Sequence, residues 1–426
     1  MTEYKKAIPT KVKDNKLSSR EKFLLNDSKY FCTLPWTHLH AYPDGKAYPC
    51  CLANHRDSIG SMREQSIKEL WNCDKQKTIR KNMLEEKPSK ECTKCYEQEA
   101  HGWTSMRQSA NIQFGHHIDK VQETTVDGHY DDVNMIYWDI RYSNLCNLSC
   151  RSCGSMFSSN WYDDQVKLFG KPDHTKITYA GKTKTDAFDQ LVEYLPLCEK
   201  VYFAGGEPLI MEEHYKILRA LIDMGYADKV TLQYNTNFTR MTYKDLNVLD
   251  IWPEFKHVSV GASLDAMGPR AELMRNGTVW EDVERNREEM LKKCPKVDFF
   301  ISPTVSVFNV DHIADFHWDW FTKGLINAQD LNVNILQDPL HYRIDMMPAE
   351  MKQRVKEKLE MHIERIRPFD KLKRGLDGLN STINYMMADD KTKWLPVFVD
   401  LTHRLDKLRK QKTVDVFPEL ESLFDV

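Results

Sequence analysis

Three cysteines fall within eight residues of one another, in Cys146-Asn147-Leu148-Ser149-Cys150-Arg151-Ser152-Cys153, and Gly154 follows them. No other feature limits the fold of this chain as strongly. Three thiols so close together make poor core packing and poor helix caps. A structural zinc site wants four tetrahedral ligands, and this run supplies three with no histidine close by. Three thiolates on a four-iron cluster leave one iron without a protein ligand. That iron is then open to a small chelating molecule, as a catalytic metal keeps an open position.

The rest of the composition sets the surroundings. The chain has 426 residues and a formal charge of −3, from 60 Lys+Arg against 63 Asp+Glu. That balance excludes a strongly basic nucleic-acid groove and gives no sign of a surface for anionic membranes. At 41% hydrophobic and 11% aromatic residues, there is material for a sizeable core. No run of apolar residues is long enough to cross a membrane as a helix. The stretch Met1–Tyr30 is rich in Lys, Asp, Glu and Ser and has no apolar signal-like core, so a reducing cytoplasm is expected. There the 11 cysteines point to metal or redox chemistry, not disulfides.

Nine of these cysteines lie before residue 154: the triplet and Cys32, Cys50, Cys51, Cys73, Cys92 and Cys95. Pro43-Asp44-Gly45 predicts a turn between short apolar runs, and so a β-hairpin over Leu39–Ala41 and Ala47–Tyr48. Ser66–Met83 reads as one helix with Ile67, Leu70, Trp71, Ile79 and Met83 on one side. From Asn134 strands alternate with helices. The expected strands are Met135–Arg141, Lys200–Ala204, Val230–Thr236, His257–Leu264, Val297–Val307 and Leu331–Leu336, with helices such as Glu212–Met224 and Thr278–Leu291 between them. Such alternation predicts an α/β fold with a parallel sheet. Six strands suit an open, partial (β/α)6 barrel. Met351, Val355, Leu359, Ile363 and Ile366 form one apolar helical stripe that packs on the barrel. Cys198 and Cys294 stand alone at expected strand starts, as small buried hydrophobes.

The spacing Cys146-x3-Cys150-x2-Cys153 after a first strand resembles the signature of the radical S-adenosylmethionine (SAM) enzymes. Ala204-Gly205-Gly206-Glu207-Pro208, ending the second strand, resembles their glycine-rich motif, where a ligand approaches the backbone closely. Tyr234-Asn235-Thr236-Asn237 ends the third strand. Ser263-Leu264-Asp265 ends the fourth and resembles the family's S-L-D strand end, and Arg275-Asn276-Gly277 resembles its Arg-Gly element. The resemblance implies that Cys146, Cys150 and Cys153 hold a [4Fe–4S] cluster whose fourth iron is chelated by SAM. It implies SAM contacts from Gly205, Gly206, Glu207, Pro208, Asn235, Ser263, Asp265 and Arg275, the last through the SAM carboxylate. Ser152 departs from the family, in which many members carry an aromatic residue there.

Phe31-Cys32-Thr33-Leu34-Pro35-Trp36, Tyr48-Pro49-Cys50-Cys51, Ile67–Asn72 and Glu91-Cys92-Thr93-Lys94-Cys95 resemble an auxiliary cluster module of the twitch/SPASM type. In many relatives that module follows the barrel; here it precedes it. The resemblance implies Cys32, Cys50, Cys92 and Cys95 as ligands of a second [4Fe–4S] cluster. As chemistry, four thiolates with one C-x2-C pair suffice for either zinc or such a cluster. Cys51 and Cys73 are left over, as spare thiols, alternative ligands or hydrogen-atom donors. The resemblance covers about Phe31 to Leu340.

The implied organisation is a polar segment (1–30), a small α+β cluster module (31–100), a connecting segment (101–133), a partial (β/α)6 barrel (134–342) and a helical C-terminal extension (343–426). The implied activity is reductive cleavage of SAM to a 5′-deoxyadenosyl radical, which takes a hydrogen atom from a small molecule or peptide. The auxiliary cluster then accepts an electron in an oxidation or crosslinking, and a flavodoxin- or ferredoxin-like reductant feeds the system. Strand-end residues Arg141, Tyr142, Thr304, Ser306, Asn334, Gln337 and His341 are expected to line the pocket. The alternative from another class is a non-catalytic electron-transfer or SAM-sensing iron–sulfur protein. The glycine-rich loop beside a three-cysteine site argues against it, because pure electron carriers use four-cysteine sites.

Overall fold

A computed structural model describes residues 16–100 and 104–425. Met1–Asn15 of the polar N-terminal segment and His101–Trp103 of the connecting segment lie outside the described residues. The described residues divide into two compact units: residues 16–100, 104–143, 179–203 and 219–230, and residues 144–178, 204–218 and 231–425. Both are mixed α/β with parallel strands.

In the first unit the expected hairpin is present as His38–Ala41 and Lys46–Tyr48. Its turn needs glycine. Gly45 has φ +87°, and a Cβ there would lie 2.7 Å from Arg63 Cγ and 2.9 Å from the Ala180 carbonyl oxygen. The hairpin also does something the sequence did not announce. His38–Ala41 pairs in parallel with Tyr137–Ile140, with His38 opposite Tyr137 and Ala41 opposite Ile140. Tyr137–Ile140 in turn pairs in parallel with Lys200–Phe203.

The single helix expected over Ser66–Met83 is two helices, Ile67–Trp71 and Asp74–Leu84. Ser66 caps the first through a reciprocal pair with Glu69. The break falls at Asn72, whose side chain bonds elsewhere. Its amide donates to the Tyr130 carbonyl at 2.8 Å. Its oxygen accepts from Tyr130 N at 3.1 Å and from Arg80 Nη1 at 3.0 Å. Asparagine that can bond outside the helix favours a helix end.

In the second unit Thr231–Thr236, His257–Ala262 and Asp298–Ile301 run parallel, with Asn235 opposite Gly261 and Gly261 opposite Phe300. The expected strand Val297–Val307 is interrupted after Ile301 and resumes only at Thr304–Val305. Pro303 stands in the gap, where a ladder needs an N–H that proline lacks. Leu331–Leu336 shortens to Asn334–Ile335, paired with Thr304–Val305, while Leu331 makes an isolated bridge to Ile301. Helices Trp280–Lys293 and Ile313–Thr322 follow the strands. Ala349–Ile366 buries Met351, Val355, Leu359, Ile363 and Ile366, as the stripe requires. Arg374–Ala388 and Leu395–Arg409 complete the C-terminal helices. Among the described residues, no helix is long and apolar enough to cross a membrane.

Candidate cofactor-binding sites

The cysteine triplet lies in the second unit on a loop held from both sides. Ser149–Cys150 pairs antiparallel with Arg275–Asn276. Cys153 N donates to the Cys150 carbonyl at 3.0 Å, and Cys146 N donates to Ser159 Oγ at 3.2 Å. Asn144 anchors the loop's entrance, its amide donating to Ser155 O at 2.9 Å and Lys176 O at 3.1 Å. Cys150 is buried, and Cys146 and Cys153 are half-buried. Burial, then the neighbouring Cys150, pushes the Cys146 thiol above its ordinary range. The same two causes push Cys153 up to about 12. Burial raises Cys150 as well, against the pull of Arg275. Three buried or half-buried thiols, two of them raised by Cys150, are a donor set for a cationic centre, since metal coordination deprotonates a thiol outright.

The glycine-rich loop is in the same unit. Gly205 and Gly206 have φ +78° and +50°, conformations that suit glycine and bring the backbone close to a ligand. Glu207 N donates to the Leu145 carbonyl at 2.8 Å, which ties this loop to the start of the cysteine loop. The Glu207 carboxylate is buried and engaged by its own chain. It accepts from Thr236 Oγ1 at 2.7 Å, Leu209 N at 3.0 Å and Asn237 N at 2.7 Å. Burial pushes it up to about 7 in spite of those donors. Pro208 opens a short 3-10 turn, Pro208–Ile210.

Arg275 forks onto Asp265, with Nε–Oδ2 at 2.8 Å and Nη2–Oδ1 at 3.0 Å. Its remaining nitrogen, Nη1, points at Cys150 Sγ from 3.8 Å. Asp265 Oδ1 also accepts from Thr304 N at 2.8 Å. The structure therefore brings Arg275, Asp265 and Cys150 together. Ser263 N donates to Thr236 O at 2.7 Å across the strand ends. Asn235 stands against Gly261, where a Cβ would lie 3.0 Å from Asn235 Oδ1.

The first unit gathers Cys32, Cys50, Cys92 and Cys95 around one cavity with about 330 Å³ of empty space, shared with Leu34, Leu52, Glu91, Lys94, Met106 and Arg107. Burial, with the neighbouring thiols after it, pushes Cys50 and Cys92 up to about 12, and burial raises Cys32 well above its ordinary range. Arg107 pairs with Glu99 at 2.6 Å and donates to Phe31 O at 2.8 Å. It thereby fixes the chain beside Cys32. Residues 32–96 match the family model of SPASM, described as an iron–sulfur cluster-binding domain. This segment is similar to a SPASM domain.

The other two cysteines of residues 32–96 lie off the cavity lining. Cys73 precedes the helix Asp74–Leu84. Cys51 lies beside Asp139, in a buried group where Asp139 pairs with Arg141 Nε at 2.8 Å and, unforeseen from the sequence, with His40 Nδ1 at 3.1 Å. Arg141 in turn lies over Tyr202 at 4.6 Å. Arg107 was missed too, as only tertiary contact brings it to the cysteines.

The expected pocket residues are divided between the two units. Arg141 and Tyr142 belong to the first unit, and Thr304, Ser306, Asn334, Gln337 and His341 to the second. Ser306 N is taken by Asn309 Oδ1 at 2.7 Å, and Asn334 Nδ2 by Ser302 Oγ at 2.9 Å. Cys198 and Cys294 are buried, and their thiols donate to Lys200 O at 3.6 Å and Leu249 O at 3.0 Å.

Two solved structures are similar to parts of the chain. One is described as native anSMEcpe with bound AdoMet and Cp18Cys peptide; it is 21% identical with a TM-score of 0.37. The match covers 59% of this chain and 65% of that one. The other is Streptococcus suis SuiB bound to S-adenosylmethionine, 13% identical with a TM-score of 0.33, covering 69% of this chain and 62% of that one. The chain thus spans slightly under two thirds of each. No curated protein matches it.

Proposed function

We propose that the chain is a radical SAM enzyme with an auxiliary iron–sulfur cluster. The observation that carries this reading is the triplet Cys146, Cys150 and Cys153, held by strand pairing to Arg275–Asn276 and tied through Leu145 to the Gly205–Gly206 turn. In this reading the three cysteines hold a [4Fe–4S] cluster with one open iron. Gly205, Gly206, Glu207, Pro208, Asn235, Ser263, Asp265 and Arg275 form the SAM site. When bound, the cluster and SAM supply one-electron cleavage of SAM and a 5′-deoxyadenosyl radical able to remove a hydrogen atom from an unactivated C–H bond.

The chain's own groups do the positioning. The two glycines leave the loop backbone open to a ligand. Glu207 fixes that loop to the end of the strand Thr231–Thr236 through Thr236 and Asn237. Asp265 holds the Arg275 guanidinium in one orientation, with one nitrogen left toward Cys150.

Cys32, Cys50, Cys92 and Cys95 hold the second [4Fe–4S] cluster in this reading. The match of residues 32–96 to an iron–sulfur cluster-binding domain favours a cluster over a zinc ion. Four thiolates leave no iron open, so this cluster suits electron acceptance. The reaction is then an oxidation or crosslinking of a peptide or small molecule, fed by a flavodoxin- or ferredoxin-like reductant.

Metal analysis after anaerobic reconstitution tests the assignment. Two four-iron clusters require about eight irons per chain, and Cys146→Ala/Cys150→Ala/Cys153→Ala should retain about four. Saturation at about four irons with one equivalent of zinc would remove the second cluster and leave the first.

A further inference from the structure

The C-terminal helices lie beyond everything the motifs explain, yet their last turn reaches the cysteine loop. Arg151 stands between the ligands Cys150 and Cys153, and its side chain is 1% exposed. Its Nη2 donates to Asp406 and, at 3.0 Å, to Gln411 Oε1. Asp406 is on the helix Leu395–Arg409 and is itself held, since Oδ2 accepts from Thr413 N at 2.7 Å and Oδ1 from Thr413 Oγ1 at 2.9 Å. Gln411 Nε2 donates to Asn276 Oδ1 at 3.0 Å, and Asn276 Nδ2 donates to Ser149 Oγ at 2.9 Å. One tail segment therefore grips both strands of the pair that carries Cys150.

A second arm reaches the same ligand. Arg409 pairs with Asp164 at 2.9 Å and lies over the Trp161 ring at 5.2 Å. Trp161 Nε1 donates to the Cys150 carbonyl. Lys410, in the left-handed conformation at φ +54°, ends the helix and turns Gln411 toward the loop.

We propose that Asp406, Arg409 and Gln411 are positioning residues, a C-terminal clamp that fixes the loop between Cys150 and Cys153 for its cluster. The proposal rests on the reading of that loop as a cluster site. All three meet the loop through its neighbours. They act through Arg151, Asn276, Asp164 and Trp161. A buried guanidinium that loses its carboxylate is left uncompensated, so the effect on the loop is local and large.

Hydrogen exchange and iron release test it together. In Asp406→Asn and Arg409→Gln, amides of 146–161 should exchange about tenfold faster, the factor set by one lost hydrogen bond to a charged group. Peptides of 32–96 should be unchanged. In reconstituted protein the same variants should speed chelator capture of about four of the eight irons by a similar factor and shift that cluster's reduction potential. Asp406→Glu should restore both. A purely structural role would lower the unfolding midpoint and leave exchange in the loop and the potential unmoved in the folded protein; that result overturns the clamp. Faster exchange without triplet iron in any protein, the unsubstituted one included, would keep the clamp as a loop brace and sink the cluster reading instead.

Discussion

Glu207 is spent on its own chain. Its two oxygens meet three donors: Thr236 Oγ1, Leu209 N and Asn237 N. Glu207→Gln turns one acceptor into an NH2 group facing a donor. That should cost about 1–3 kcal/mol, the penalty of a buried group left unsatisfied, read as a lower urea midpoint. An unchanged midpoint would mean the carboxylate is not what fixes the loop. Gly261 is constrained in a different way. An added Cβ would lie 3.0 Å from both Asn235 Oδ1 and Phe300 Cε2. Gly261→Ala should displace Asn235 and weaken SAM binding several-fold, with a stability loss of about 1–3 kcal/mol from overpacking. Equilibrium SAM binding, with a melting curve beside it, separates the two effects.

At the scale of elements, the sequence was most readable where the cause was local. Pro43-Asp44-Gly45 marked the hairpin, and the spacing from Met351 to Ile366 marked a buried helix face. Pro303 was in plain view, and its missing N–H divides the strand that hydrophobicity alone ran through to Val307. Asn72 was less readable, because its partners Tyr130 and Arg80 become its neighbours only on folding. The parallel pairing of His38 with Tyr137 was not readable at all; no local pattern sets a register across 99 residues.

The helices Ile313–Thr322 and Ala349–Ile366 carry a prediction of their own. His317 Nδ1 and His362 Nε2 are 2.9 Å apart in the buried contact between them. Burial lowers His317 to about 3, with His362 adding to it, and burial lowers His362 to about 4, with Arg365 adding. Both are therefore neutral in the folded chain, while the unfolded chain takes up protons near pH 6.5. The contribution is complete above that pH and is lost as pH falls from about 6.5 toward 4. Stability should drop by about 1.4 kcal/mol per pH unit for each histidine over that window. A His317→Asn/His362→Asn variant should show a flatter loss between pH 7 and 5 than the unsubstituted protein. Parallel curves would contradict it.

Over the whole molecule, each unit holds one set of cysteines. Both sets were legible because their cysteines are partly grouped in sequence, as C-x3-C-x2-C and C-x2-C. The resemblance had already picked four of the six N-terminal cysteines, and the fold puts the other two elsewhere, Cys51 beside Asp139 and Cys73 at a helix start. The pairing of His40 with Asp139 and the clamp from Asp406 and Arg409 were hidden. Their partners are far apart in sequence, and Arg151 meets Asp406 across 255 residues. The most direct measurement of the central claim is 5′-deoxyadenosine formation from SAM by the anaerobically reconstituted protein with a chemical reductant. The account predicts reductant-dependent formation that is lost in Cys146→Ala/Cys150→Ala/Cys153→Ala while about four irons remain. Equal formation by that variant, or none by a protein carrying about eight irons, would contradict it.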